Sequence, residues 1–181
     1  MIGVDLTGWH DFFVIVGSSA GALTGLMFVT IALSQGITRR SPEMRRIMRS
    51  YATPTVVHFS SVLSIAAVLS MPRLSLTAMK VFVITVSGLL VAYARWIHVN
   101  SRRFHDTYKP DLEDLIWHFV LPSVTYGTML VAVAAAWNSP DVSLYFVGSG
   151  MIAALIIGIH NAWDSAVWQV MRSSQQDDPD A

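Results

Sequence analysis

Apolar residues in this chain run on in five long blocks separated by short polar connections. The blocks extend over Phe12 to Ser34, Tyr51 to Met71, Leu76 to His98, Leu115 to Trp137 and Leu144 to Trp163. Each is near the ~20 residues that a helix rising about 1.5 Å per residue needs to cross a hydrocarbon core about 30 Å thick. The pattern predicts an all-α integral membrane bundle of five transmembrane helices. They form one transmembrane domain over residues 1–172, followed by a disordered acidic tail over residues 173–181.

Composition agrees, with 53% hydrophobic and 13% charged residues, where soluble domains carry about 25% charged. The net charge is zero, so the information lies in its distribution. Arg39, Arg40, Arg45, Arg46 and Arg49 fall between the first two blocks, Arg95, Arg102, Arg103 and Lys109 at the end of the third and beyond it, and Arg172 near the C-terminus. Only Arg73 and Lys80 fall on the other side. By the positive-inside rule the N-terminus is outside and the C-terminus is in the cytoplasm, as an odd number of spans requires. Residues 1–11 hold Asp5 and Asp11 but no Lys or Arg, so the first block is expected to remain as a reversed anchor and not to be cleaved as a signal peptide. Trp9, Trp137 and Tyr145 mark the outer interface; Trp96, Trp117, Trp163 and Trp168 mark the inner one.

Within the first block Gly17, Gly21 and Gly25 repeat every four residues. Such a small-residue seam lets another backbone approach closely, either a later helix of the same chain or a second copy in a homo-oligomer. Pro54 and Pro122 each remove a backbone donor and are expected to bend their helices. Ser41 and Pro42 suit the start of a short cytoplasmic helix over Glu43 to Ser50, with Arg45 and Arg49 on one face. Asp111, Glu113 and Asp114 lie where the fourth span begins, as a helix dipole favours.

Polar side chains inside the spans carry the candidate chemistry, since a charge at mid-bilayer costs at least about 2.5–3.5 kcal/mol. His58, His98, His118 and His160 bring an imidazole from four different spans to the cytoplasmic half. His160, Asn161 and Asp164 share a face of the fifth span, where Asp164 can orient the imidazole. Arg95 and His98 are three apart; His118, Pro122 and Tyr126 form a stripe at steps of four, and Thr55, His58 and Ser61 one at steps of three. These residues are expected to face a common polar cavity, unless the histidines merely hydrogen-bond at the interface and Arg95 pairs with Asp164 to make both tolerable.

The reading that follows is a non-enzymatic membrane component that associates with partners or conducts a small solute. Its rival is a redox subunit holding haem or a divalent metal between these histidines. Cysteine is absent, which removes disulfides and sulfur-ligated metals or clusters. Walker, zinc-protease and Rossmann signatures are missing too. Nucleic acid is not expected as a partner, because the arginines are where a membrane protein needs them; the expected partners are lipid and a second copy through the first helix.

The stretch Trp9-His10-Asp11-Phe12-Phe13-Val14-Ile15-Val16-Gly17-Ser18-Ser19-Ala20-Gly21-Ala22-Leu23-Thr24-Gly25-Leu26-Met27-Phe28-Val29 resembles the opening of small bacterial polytopic inner-membrane proteins of unknown function. That resemblance covers about the first fifth of the chain and implies a multi-pass bacterial inner-membrane setting, with no functional residue attached to it.

Overall fold

A computed structural model describes residues 6–33, 42–101 and 112–176. A 3-10 turn, Thr7–Trp9, leads into α1, His10–Leu33. Helix α2 is Pro42–Leu69 and α3 is Leu76–Ser101. The short α4, Leu112–Leu115, passes through a π-helical stretch, Ile116–Val120, into α5, Leu121–Ala135. The last helix, α6, is Pro140–Gln176. No strand occurs among the described residues.

The helices alternate in direction, so α1 to α2 and α3 to α4 connect at an arginine-rich end, and the tight α2–α3 and α5–α6 turns lie at the opposite end, beside Lys80. Helix α1 packs on α2, α2 on α6, α6 on α5 and α5 on α3. The segment Glu43 to Ser50 is continuous with the rest of α2, and α6 runs through Gln176 into the stretch expected to be a tail. Arg39, Arg40, Ser41, Arg102, Arg103, Lys109, Asp111 and residues 177–181 lie outside the described residues.

Among the described residues four helical stretches are long and apolar enough to cross a bilayer: His10–Ala32, Leu76–Val99, Ile116–Ala135 and Pro140–Val167. The apolar part of α2, Thr53–Leu69, is shorter. It is diluted by Thr55, His58, Ser60, Ser61 and Ser64, and three of these, Thr55, His58 and Ser61, are buried inside the bundle. What weakens α2 as a solitary span is what it contributes to the interior. Bulky apolar side chains instead point outward, among them Ile15, Leu26, Leu89, Val131 and Ile156. Such a surface calls for lipid and not water, and together with the four long apolar helices it marks a membrane protein.

Lipid gives helices little hydrophobic reason to associate, so close contact must hold them together. A methyl group added at Gly17 would sit 2.7 Å from the Cβ of Ala66 on α2, so the first glycine of the seam is filled from within the chain. Gly21 faces Leu63 more loosely and Gly25 faces open space. On α6, Gly158 seats the ring of Phe59 and Gly150 seats Met129. At the Lys80 end, Phe13, Val83, Met129, Val133, Leu144, Val147 and Met151 close the interior.

Hydroxyls outside the core bond back onto their own helices: Ser19 donates to the carbonyl of Ile15 (2.8 Å), Thr24 to Ala20 (2.8 Å) and Thr85 to Val81 (2.8 Å). Pro54 is accommodated inside α2. Pro122 is handled differently. The amide of Leu121 reaches back five residues to the carbonyl of Ile116, widening the helix just before the residue that has no amide to offer.

Candidate functional site

The stripes on α2 and α5 meet. His58 is 4% exposed and Tyr126 is 1% exposed, and the Nδ1 of His58 lies 2.8 Å from the Tyr126 hydroxyl. The Ser61 hydroxyl lies 3.1 Å from that of Tyr126 and donates to the backbone carbonyl of His58 at 2.7 Å. Ser61 has one proton, already given to that carbonyl, so its oxygen accepts from Tyr126. Tyr126 in turn accepts from His58. All three contacts are satisfied only if Nδ1 carries a proton, which leaves Nε2 of the neutral ring as the lone-pair nitrogen. The result is a closed ring of hydrogen bonds across two helices that do not otherwise pack closely.

The π-helical stretch distributes its side chains in three directions. Trp117 stacks on His160 of α6, centroids 3.7 Å apart and planes 5° from parallel. His118 turns inward and lies within electrostatic reach of His58 on α2. Phe119 meets His98 of α3 edge-on at 5.0 Å. Trp117 and Phe119 thus each contact a histidine on a different helix, and His118 between them is buried.

His160 is held by charge as well as by stacking. Its Nδ1 is 3.0 Å from Asp164, though off the line of a hydrogen bond, and its Nε2 is 3.6 Å from Glu113. Glu113 therefore faces a histidine as well as standing at a helix start. Asp164 is engaged by His160, and no ion pair joins it to Arg95, which is exposed. The expected Arg95–Asp164 pair does not form: α3 packs chiefly on α5 and Arg95 is exposed, while Asp164 on α6 lies beside His160.

Asn161 has 0% exposure, and neither its amide oxygen nor its amide nitrogen has a hydrogen-bond partner. Each unpaired buried group costs about 1–3 kcal/mol. The residue lies on the buried face of α6, between Gly158, which seats Phe59, and the His160–Asp164 pair.

The candidate residues therefore form two packed clusters, His58–Tyr126–Ser61 with His118, and His160 with Asp164, Glu113 and Trp117. Asn161 is buried next to His160 on α6, and His98 of α3 meets Phe119. The open cavity found elsewhere, about 760 Å³, is an outward-facing groove between α5 and α6 lined by Val124, Gly127, Val131, Ala135 and Phe146 among others. Among the described residues no group of three His, Asp or Glu side chains is placed to hold a metal ion.

Sequence reasoning missed the roles of Trp117 and Phe119, and also Lys80. Lys80 has 0% exposure; its ammonium donates to the carbonyls of Ala136 (3.2 Å) and Trp137 and lies 5.3 Å from the centre of the Trp137 ring. Ser143 donates to the same Ala136 carbonyl at 3.0 Å. Together they cap the last turn of α5, whose carbonyls have no intrahelical partner. A lone cation four residues into an apolar block was the available signal. The run Gly17-Ser18-Ser19-Ala20-Gly21 spells a Gly-x-Ser-x-Gly pattern. It lies inside a helix with the Ser19 hydroxyl bonded to Ile15, so it is no nucleophile elbow. No protein-family model, curated protein or solved structure matches the chain.

Proposed function

We propose that this chain is a five-span protein of a bacterial inner membrane, N-terminus outside and C-terminus in the cytoplasm, that takes up and passes protons through its polar half. The orientation is supported by ten of the twelve Lys and Arg residues falling on one side of the spans. The bacterial setting is supported by the resemblance of residues 9–29.

The observation that carries the proton reading is the closed ring of His58, Tyr126 and Ser61. Adding a proton at Nε2 of His58 leaves every bond of that ring in place, because Nδ1 is a donor in both the neutral and the charged imidazole. An ionisable side chain at this depth that changes charge without rearrangement of its partners suits proton transfer. At the arginine-rich end, His160 with Asp164 and Glu113 supplies a more exposed group of acids and base. Association of copies would use Ser18, Ala22 and Gly25, the strip of α1 left exposed by α2.

The test is reconstitution of the full chain into vesicles containing a pH-sensitive dye, with a potassium diffusion potential as the driving force. The expected result is a proton flux that His58→Phe and Tyr126→Phe abolish and Asp141→Asn leaves unchanged. Vesicles no leakier to protons than protein-free ones would sink the reading. Reporter fusions after Arg45 and after Gln176 are both expected on the cytoplasmic side.

A further inference from the structure

The side chains of His58, Tyr126 and Ser61 bond to one another, His160 faces Glu113 and Asp164, and Asn161 is the residue of α6 next to His160 on the buried side. It follows His160 on α6 and comes three residues after Gly158, whose surface is covered by the ring of Phe59. Phe59 in turn follows His58. Because α2 and α6 run antiparallel, one turn from the Gly158–Phe59 contact toward the arginine-rich end brings Asn161 level with Thr55, itself fully buried. Val56 and Ala162, packed together with Phe59, fix this register. The carboxamide is thus within a turn of both clusters, wholly enclosed, and has a donor and an acceptor without partners.

We propose that Asn161 binds a water molecule that links the His160 cluster to the His58–Tyr126–Ser61 ring, an inference that rests on the proton-path reading above. The amide nitrogen donates to the water oxygen, and the amide oxygen accepts one water hydrogen. The water's remaining lone pair and remaining hydrogen serve the relay. It receives a proton from the His160 side and releases a different one toward the Nε2 lone pair of His58, so it is regenerated and no charge stays on it. Asn161 never titrates. Its side chain is suited to this because a carboxamide holds a water by both ends while adding no charge of its own to a low-dielectric interior.

Two measurements test this on the reconstituted full chain. Proton flux in Asn161→Leu, which keeps the branched four-atom side chain but cannot bind water, is expected to fall about tenfold or more, a barrier increase of at least about 1.4 kcal/mol. Asn161→Ser, shorter and still polar, leaves room for a second water and is expected to retain most of the flux. Independently, an infrared hydroxyl-stretch band of water isolated from bulk, identified by its shift in oxygen-18 water, is expected in the wild type and absent from Asn161→Leu. Undiminished flux in Asn161→Leu, equal losses in both variants, or an isolated-water band that survives the leucine substitution would each overturn the proposal. If the wild type carries no protons, the path fails, and the infrared band alone then decides whether Asn161 binds water.

Discussion

The two ends of this bundle are crossed by the same helices yet filled by different chemistry. Toward Lys80 the interior is Phe13, Val83, Met129, Val133, Leu144, Val147 and Met151, closed by dispersion contacts and sealed where Lys80 and Ser143 cap α5. Toward the arginine-rich end the buried positions include Thr55, His58, His118 and Asn161, organised by hydrogen bonds and ring stacking. In lipid neither kind of interior gains from expelling water, so each must be argued from contacts actually made. The apolar end has every reason to stay shut. The polar end carries buried imidazoles and one carboxamide whose bonds are unmade.

The contrast predicts a graded response to substitution. The largest expected loss is at Lys80→Met, which strips the ammonium from two carbonyls at the end of α5 and is expected to cost up to about 3 kcal/mol. Reversible unfolding in mixed detergent would measure it; a neutral result would mean that α5 is capped by Ser143 alone. Next comes Met129→Ala. The usual transfer term is absent because the side chain stays in an apolar medium when helices separate. The cavity term of about 24 cal/mol per Å³ remains, for a loss of about 2 kcal/mol.

Tyr126→Phe is expected to cost less, about 0.6–1.7 kcal/mol, the range for buried hydrogen bonds between membrane helices. If it matched or exceeded Met129→Ala in the same assay, the two halves would not differ as described. Smallest is Asp164→Asn, expected to lose under about 1 kcal/mol because the His160–Asp164 pair is partly exposed. It should still exceed Asp141→Asn, whose carboxylate is exposed at the start of α6 and makes no ion pair in the described structure. Equal tolerance at both positions would remove any special standing from the His160–Asp164 cluster of α6.

Much of the architecture was legible because lipid imposes length and polarity on each helix separately. The apolar blocks marked the long helices, four of which include a stretch able to cross a bilayer, though α2 extends to Pro42 and α6 to Gln176, since a helix need not stop where its hydropathy does. The stripes Thr55–His58–Ser61 and His118–Pro122–Tyr126 were visible at helical spacing, and the fold brings His58, Ser61 and Tyr126 together. Which stripe meets which was not legible, since spacing along one helix carries no information about its neighbour. Trp117 looked like an interface anchor and instead lies flat on His160. The π-helical stretch was invisible to any pattern based on 3.6 residues per turn.

That widened stretch makes the number of residues before Pro122 as consequential as their identity. A chain lacking one residue between 116 and 120 could wind there as ordinary helix. The preceding side chains would then swing by about 100°, turning Trp117 and Phe119 away from the two histidines they meet and His118 out of the interior. Related chains in which this arrangement persists should therefore tolerate exchange of Ile116 or Val120 for other bulky apolar residues, and show no insertions or deletions across the segment.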